Sequence, residues 1–508
     1  MVRRFGPLSL KNEALLAPST PPLLSAPFPL EPDRTTREHW LEAFSGFIQD
    51  HLDSVESQDP GGIQGAAGLA IAEAVSQTIP EAPLPGGPER LVALLEEAIP
   101  ASYATTSPRY LAYVPSGALY GAAIADFVIS GLNRFTGLAA EALAPCRLEA
   151  DVVDWLLAEF GLGDVASARG VLLSGGSMAN FAATVTARHA HLGDQGDYRA
   201  ATAYVSTQTH HSAAKALRLA GIPLSGVRSI PVDSHFRMSP EALERAIEGD
   251  RDAGHAPFLV ISSAGTTNTG AVDPLGAIAD VCGRQGIWHH VDAAYGGGFV
   301  VCETGRNALS GIERADSITL DPHKSLFLPF GTGCLLVRDG DALRRAHQLD
   351  ADYLAEGLDG ESPSPAHYGP ELSRRWRGLR LWLPLMLHGA DAFRRTLGEK
   401  MALAQWFASR LSALMESGLP VEWVARPQLT TAAFRLSRRP QEPLEAWNQR
   451  NLAWVQRLHA HGGVFLSTTR LPVPDGLAVT LRICVLSFRV HQAHVRECLE
   501  ALRETAEG

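Results

Sequence analysis

Two residues of opposite charge each lie at the end of a short apolar segment of this chain. Lys324 closes the segment 317–324, and Asp292 lies within the segment 287–296. In α/β sheets, ligands are bound beyond the carboxyl ends of the strands, so we expect both side chains to share one site. A lysine amine and a carboxylate are the pair that pyridoxal phosphate (PLP) requires: the amine forms a Schiff base, and the carboxylate pairs with the pyridinium nitrogen. The alternative is a surface lysine and a strand-end aspartate.

A glycine-rich turn follows another apolar segment. Residues 174–180 read Ser-Gly-Gly-Ser-Met-Ala-Asn and open a predicted helix. Glycines allow backbone N–H groups to approach an anion, and a helix N-terminus favours negative charge. The turn is therefore a candidate phosphate site, although a tight turn without a ligand explains the same residues.

Two further polar segments also follow predicted strands. The segment 209–215 contains the pair His210–His211, and the segment 265–270 is rich in threonine and glycine. An imidazole can stack on a pyridine ring and assist proton transfer, and threonine hydroxyls can contact a polar ligand. A helix-capping histidine and a plain turn are the alternatives. Adjacent histidines on a strand point to opposite faces, so His210–His211 and His289–His290 are poor chelates and we expect no metal.

The elements that carry these residues alternate in type. Helical segments such as 178–191 and 275–285 lie between short apolar segments. The predicted strands are 171–173, 203–206, 258–262, 287–292, 317–320 and 333–338. This alternation predicts an α/β fold with a mainly parallel sheet and helices on both of its faces.

The length of the chain exceeds one ordinary hydrophobic core, because it has 508 residues. We predict an N-terminal arm and helical segment over 1–104, with helices at 36–50 and 88–98. A large α/β domain is predicted over 105–394. A small α+β domain is predicted over 395–508, with strands at 431–436 and 478–485 and a terminal helix at 491–505.

Composition excludes several classes of function. The chain has 44 Lys and Arg residues and 55 Asp and Glu residues, a net charge of −11, which argues against binding to nucleic acid or to an anionic membrane surface. Its six cysteines form no Cys-x-x-Cys pair, which favours reduced thiols and a cytoplasmic location. The sequence shows no signal peptide and no apolar run long enough for a transmembrane helix.

The segments, in this order, resemble the group II PLP-dependent decarboxylases of fold type I, the family of aromatic-L-amino-acid, glutamate and histidine decarboxylases. The segments that match are 174–180, 211–212, 265–267, 290–296 and 322–324. The resemblance implies decarboxylation of an L-amino acid, most directly an aromatic one, to the amine and CO2. It also implies a homodimer with its active sites at the interface.

The resemblance assigns roles to individual residues. Lys324 is similar to the Schiff-base lysine, Asp292 to the partner of the pyridinium nitrogen, and His211 to the histidine stacked on the ring. Contacts to the remainder of PLP are implied for Gly176, Ser177, Thr267, Ala294 and His323.

Tyr353 is similar to a tyrosine of the family's mobile loop, which protonates Cα after CO2 leaves. Relatives with Phe at this position tend to make aldehydes by oxidative deamination, so Tyr353 favours simple decarboxylation. A solvated loop tyrosine is the alternative.

Departures from the family concern the substrate and the phosphate. Tyr113, Val114, Pro115 and Ser116 are predicted to line the substrate pocket. Val114 stands where the aromatic-amino-acid enzymes have an aromatic residue, and Thr105 stands where they have a tryptophan. The substrate could therefore also be an acidic or aliphatic amino acid. Asp321 replaces an asparagine near the phosphate. An ionised carboxylate would repel that group, so Asp321 must face elsewhere, bind a cation or be protonated.

Other readings of the same residues remain. One is a different fold-type-I reaction such as transamination or desulfuration. A second is an aromatic aldehyde synthase. A third is a non-catalytic protein that uses the fold for binding or structure.

Overall fold

The computed structural model describes residues 30–194, 196–348 and 363–506. These residues form two compact units. The first unit comprises the described part of residues 1–54 together with residues 65–101. Its helices are α1 (Arg34–Ser54), α2 (Gly65–Val75) and α3 (Gly87–Ala98). The helices predicted at 36–50 and 88–98 lie within α1 and α3.

The second unit comprises residues 55–64 and the described part of 102–508. Its helices are α4 (Tyr120–Leu132), α5 (Leu143–Glu159), α6 (Gly176–Leu192), α7 (His211–Leu219), α8 (Pro240–Asp252), α9 (Leu275–Gln285), α10 (Glu303–Ala308), α11 (Pro322–Ser325), α12 (Gly340–His347), α13 (Leu379–His388), α14 (Ala390–Glu416), α15 (Leu444–His461) and α16 (Gln492–Ala506). Its strands are β1 (Arg169–Leu173), β2 (Ala201–Ser206), β3 (Val227–Ile230), β4 (Ala256–Ser263), β5 (Trp288–Ala293), β6 (Ser317–Leu320), β7 (Gly333–Val337), β8 (Val421–Ala425), β9 (Thr431–Leu436), β10 (Ser467–Val473) and β11 (Gly476–Cys484).

A seven-stranded sheet organises the second unit, in the order β1-β7-β6-β5-β4-β2-β3. The pairs among β3, β2, β4, β5 and β6 are parallel, and β7 runs antiparallel between β6 and β1. Strand β1 is antiparallel to β7, and β7 is antiparallel to β6, so β1 runs in the same direction as the parallel strands. It therefore ends at the same edge of the sheet as they do. The chemical segments that follow these strands therefore meet at one edge.

Helices cover both faces of this sheet, and alternate residues of β1 show it. Leu172 packs in one core cluster with Leu156 of α5, whereas Val171 packs in another with Ala183 of α6. Central strands of such a sheet are buried on both faces, which explains their continuous apolar composition. The predicted α/β fold with a mainly parallel sheet is confirmed.

A smaller antiparallel sheet, in the order β10-β11-β9-β8, is formed by the C-terminal part of the chain. It packs with α15 and α16 around Phe434 and the fully buried Trp454. The predicted domain boundary at residue 395 falls inside the continuous helix α14. The division of the second unit into a large and a small domain therefore stays a proposal.

The strand segments predicted from the sequence all correspond to observed strands, but β3, β8 and β10 were not predicted. These three strands have burial patterns with many partly exposed residues, so they lack the apolar run that marks a central strand. In the parts of the chain that the structure describes, no helix is both long and apolar enough to cross a membrane.

Strand β5 contains two fully buried imidazoles, and this produces a pH prediction. Burial lowers the pKa of His289 to about 3 and that of His290 to about 4. Unfolding returns each to an ordinary histidine pKa of about 6.5. Between about pH 4 and about pH 6.5 the unfolded chain therefore binds more protons than the folded chain does. The free energy of unfolding should fall as pH falls through this window, by about 1.4 kcal/mol per pH unit for each histidine.

The His289→Asn variant isolates one of the two contributions. Urea unfolding between pH 4.5 and 6.5 should show an average slope against pH that is smaller than that of the original chain by about 1.2 kcal/mol per unit. Equal slopes would contradict the buried, neutral state of His289.

Candidate active site

A cleft of about 610 Å³ opens at the carboxyl ends of β1, β2, β4, β5 and β6. Each of these strands is followed by a segment that contributes polar side chains or backbone to the cleft wall. The cleft lies entirely within the second unit. Its lining residues run from Thr105 to Arg482, so the fold brings together residues more than 300 positions apart in sequence.

The glycine turn occupies the end of β1 and the start of α6. Gly175, Gly176 and Ser177 line the cleft, and the first N–H groups of α6 have no partners within their own helix. A Cβ added at Gly176 would lie 2.9 Å from Asp321 Oδ2 and 3.1 Å from Ala294 Cβ. Only glycine fits at this position, because any side chain would collide with the neighbouring wall. The turn can thus present backbone donors to an anion.

His323 lies beside this turn and is mostly buried. Its Nδ1 donates to the backbone oxygen of Thr332 at 2.6 Å, which fixes the orientation of the ring. Burial lowers the pKa of His323, and the nearby carboxylate of Asp321 partly offsets that effect. The ring is held beside the glycine turn, where a Cβ added at Gly175 would lie 3.6 Å from its Cε1.

Lys324 and Asp321 form an ion pair inside the cleft. Lys324 Nζ lies 2.8 Å from Asp321 Oδ2, while Oδ1 of the same carboxylate is buried and accepts no hydrogen bond within the described residues. Of the three possibilities that the sequence left for Asp321, the geometry favours binding to a cation. That cation is the amine of Lys324.

Asp292 occupies the end of β5, in the middle of the cleft wall. Its Oδ2 accepts from Asn180 Nδ2 at 2.8 Å, and its Oδ1 accepts from the backbone N–H of Ala294 at 3.1 Å. These two donors fix the orientation of the carboxyl group. The site therefore holds a positioned carboxyl group that can pair with a cationic ring nitrogen.

The structure corrects the choice between two adjacent histidines. His210, not His211, lines the cleft. His210 has extended backbone angles and caps helix α7, whereas His211 is the first residue of that helix and is exposed. The two rings are tilted by 48° with centroids 4.0 Å apart. The histidine of the cleft wall is therefore His210, where the sequence led us to expect His211.

Most of the remaining predicted residues meet in the same cleft. Thr267 and Ala294 line it, as do the predicted pocket residues Tyr113, Val114 and Pro115. Ser116 is buried but is not part of the cleft wall. Tyr353 lies outside the described residues.

Among the cleft residues that were not singled out from the sequence, three are used below. They are Asn180, Phe330 and Arg482, which lies near the end of β11. Arg482 is 4% exposed. Its Nη1 donates to Ser467 Oγ at 3.3 Å, and its Nε has no partner among the described residues. The sequence did indicate Arg482, because it is a charged residue within an apolar strand and cations are rarely buried without a partner.

The residues of the cleft fit the expected cofactor. They provide a glycine turn at a helix N-terminus for a phosphate, an amine for an aldehyde, and a carboxylate for a pyridinium nitrogen. Oδ1 of Asp321, which accepts no hydrogen bond among the described residues, is buried 3.7 Å from Nδ1 of His323. Among the residues that the structure describes, no group of three or more potential ligands is arranged to hold a metal ion.

Comparisons with known proteins agree with this geometry. The profile of the family described as "Pyridoxal-dependent decarboxylase conserved domain" matches residues 80–437, more than half of the chain. An aromatic-L-amino-acid decarboxylase of Bacillus atrophaeus is 35% identical over 403 residues, which cover 79% of this chain and 81% of the relative. A phenylacetaldehyde synthase of Arabidopsis thaliana is 28% identical, with 83% and 87% of the two chains covered.

A solved structure is similar over almost the whole length. The crystal structure of Oryza sativa TDC with PLP and tryptamine has a TM-score of 0.86 and 28% identity. The match covers 94% of this chain and 99% of that one.

Proposed function

This chain belongs to the family of pyridoxal-dependent decarboxylases, and from that premise we propose that it decarboxylates an aromatic L-amino acid to the amine and CO2. As a member it is a PLP-dependent carboxy-lyase acting on an amino acid. The observation that carries the proposal is the convergence of Lys324, Asp292 and His210 on one cleft with the glycine turn of α6. The aromatic substrate is supported by the cleft wall and by the Bacillus relative.

PLP, when bound, takes up the electron pair that is released as the bond between Cα and the carboxylate breaks. The residues of this chain place the cofactor for that task. Gly175, Gly176 and Ser177 would hold its phosphate, and Lys324 would supply the amine for its aldehyde. Asp292 would lie beside the ring nitrogen, where a carboxylate favours the protonated ring.

His210 is proposed to pack against the ring of PLP and to transfer a proton. Burial lowers its pKa, with the nearby His211 and Lys324 acting in the same direction and Asp292 and Asp321 opposing them. A neutral imidazole can both pack against an aromatic face and exchange a proton with the substrate. The proton that replaces CO2 at Cα is proposed to come from Tyr353 or His210.

The two neighbouring histidines provide a matched pair of variants. The His210→Gln change should lower the rate of amine formation by about 10²-fold, because a group that transfers protons is lost. The His211→Gln change should leave the rate within about twofold, as is usual for an exposed residue. Steady-state kinetics with the preferred substrate measures both. A larger loss at His211 would contradict the assignment.

The substrate is proposed to lie between an apolar wall and a buried cation. Tyr110, Val114 and Phe330 line the outer cleft and offer the aromatic and aliphatic surface that an aromatic side chain prefers. Arg482 can pair with the carboxylate of an incoming amino acid, because its guanidinium is buried and its Nε lacks a partner among the described residues. Val114 and Thr105 are smaller than aromatic residues, so they leave room for a large ring.

The alternative product is an aldehyde, as the name of the Arabidopsis relative indicates for that protein. Decarboxylation yields amine and CO2 and consumes no oxygen, whereas oxidative deamination consumes oxygen and releases ammonia and peroxide. We expect one amine per CO2 and no peroxide. Peroxide in proportion to CO2 would replace the proposed activity by aldehyde synthesis.

We further propose that the functional unit is a homodimer with the cleft near its interface. Three apolar residues, Tyr120, Ile124 and Phe127, are exposed along one side of α4, and Met386 and Leu387 are exposed on the adjoining helix α13. An apolar surface of this kind is typical of an interface. Sedimentation should give twice the chain mass of 54.4 kDa; a monomer would overturn the proposal.

A cytoplasmic location is proposed from the thiols. All six cysteines are free and buried, which is typical of proteins in a reducing compartment. Cell fractionation tests this, and recovery outside the cytoplasm would contradict it.

A further inference from the structure

A buried amide lies between the two cleft residues that are proposed to face the ring of PLP. Asn180, on α6, is 1% exposed. Its Nδ2 lies 2.8 Å from Asp292 Oδ2 and 3.1 Å from Ser212 Oγ. Its Oδ1 lies 3.0 Å from Nε2 of His290. One side chain thus connects strand β5 with the start of helix α7.

The direction of each hydrogen bond follows from Asp292. An ionised carboxylate only accepts hydrogen bonds, so the amide of Asn180 must present its nitrogen to Asp292 and its oxygen to His290. Nε2 of His290 must then carry a hydrogen. Burial keeps this ring neutral by lowering its pKa to about 4, so Nδ1 accepts from the hydroxyl of Ser317 at 2.8 Å.

The second N–H of Asn180 sets the other branch of the network. It donates to Ser212 Oγ, which lies 2.7 Å from Nδ1 of His210. The backbone N–H of Ser212 also points to that nitrogen, at 3.3 Å. A nitrogen that receives an N–H carries no hydrogen of its own, so the hydroxyl of Ser212 donates to it. Neutral His210 must therefore hold its proton on Nε2.

We propose that Asn180 is a positioning residue that orients Asp292 and the hydroxyl of Ser212, and through that hydroxyl reinforces the tautomer of His210. The network leaves Nε2–H as the donor that His210 can offer to the cleft. It also holds Oδ2 of Asp292 against the amide nitrogen of Asn180. This inference rests on the proposed function only in that both residues are taken to face PLP. The tautomer itself is a property of the protein without cofactor.

The tautomer can be read by ¹⁵N NMR of histidine-labelled protein that lacks PLP. The signals of His210 are assigned by their loss in the His210→Gln variant. We expect Nδ1 of His210 to show the shift of a nitrogen without hydrogen, and Nε2 that of an N–H. In the Asn180→Ala variant, the hydroxyl of Ser212 loses the donor that orients it, so the Nδ1 signal of His210 should shift. Nε2 should keep its hydrogen, because the backbone N–H of Ser212 still points to Nδ1.

Cofactor affinity tests the branch to Asp292. Hydrogen bonds to charged groups contribute about 1.5–3 kcal/mol, so Asn180→Ala should weaken PLP binding by about 10- to 100-fold. The Ser212→Ala change leaves the bond between Asn180 and Asp292 intact, so it should disturb the His210 signals but change the affinity by less than about threefold. This second variant keeps the test informative should Asn180→Ala fail to fold.

A matched control is the buried Asn448 of α15. Its amide also joins two neighbours, the backbone oxygen of Leu477 at 3.1 Å and the backbone N–H of Val479 at 2.7 Å, but it lies outside the cleft. The Asn448→Ala change should alter neither the His210 signals nor the affinity.

The inference would be overturned by a hydrogen on Nδ1 of His210 in the original chain. It would also be overturned if Asn180→Ala left the His210 signals unchanged and weakened PLP binding no more than Asn448→Ala. These readouts need no turnover. A protein with the expected tautomer that forms no amine would therefore contradict the proposed function and not the network.

Discussion

Replacing Lys324 with Ala is expected to lower the rate of amine formation by more than about 10⁴-fold, because the covalent link to PLP is lost. Among the described residues of the cleft wall, Lys324 carries the one primary amine. Borohydride reduction of the PLP-loaded original chain, followed by peptide mass analysis, should find the cofactor on Lys324. The variant should carry no such label.

Two further variants separate the amine from its charge. The Lys324→Arg change keeps a cation next to Asp321, but a guanidinium stays protonated and cannot attack an aldehyde. It should therefore lose activity as Ala does. Lys400 is a buried ammonium paired with Glu399 at 2.9 Å outside the cleft, and Lys400→Met should retain the label on Lys324. Activity in the Arg variant would refute the nucleophilic role.

The Asp292→Asn change is expected to lower the rate by about 10³-fold while the cofactor still attaches to Lys324. The variant keeps the shape of the side chain but removes a full negative charge. A charge pair about 4 Å apart near a protein surface is worth about 4 kcal/mol, which corresponds to about 10³ in rate. The loss should appear in kcat, because the charge matters most when the ring receives electrons.

Asp316 provides the matched control for this carboxylate. It is a largely buried acid at the start of β6 whose Oδ2 accepts from the backbone N–H of His289 at 2.8 Å, and it does not line the cleft. The Asp316→Asn change should leave kcat within about threefold. If Asp292→Asn behaved like this control, Asp292 could not be the partner of the ring nitrogen.

Much of the fold and part of the site could be predicted from the sequence. Central strands such as β5 and β6 are buried on both faces, so their apolar runs are visible in the chain itself. Asp292 lies at the end of β5 and Lys324 lies four residues after β6, so their position at the carboxyl edge is a consequence of topology. The edge strand β3 has no such run, because most of its residues are partly exposed.

The choice between His210 and His211 could not be made from the sequence alone. It depends on the residue at which α7 begins, and a shift of one position reverses which ring faces the cleft. Asn180 was hidden for a different reason. Its neighbours Asp292 and Ser212 come from other elements, so only the folded chain shows that it joins them. Arg482 did leave a local signal, a lone cation in an apolar strand.

Decarboxylation of an aromatic amino acid is tested most directly by measuring CO2 and amine from the PLP-loaded protein with a panel of aromatic, acidic and aliphatic L-amino acids. We predict equal amounts of CO2 and amine from at least one aromatic substrate, at a kcat/KM that exceeds that of every acidic or aliphatic one. Release of CO2 only from acidic or aliphatic amino acids, or no release from any of them, would contradict it.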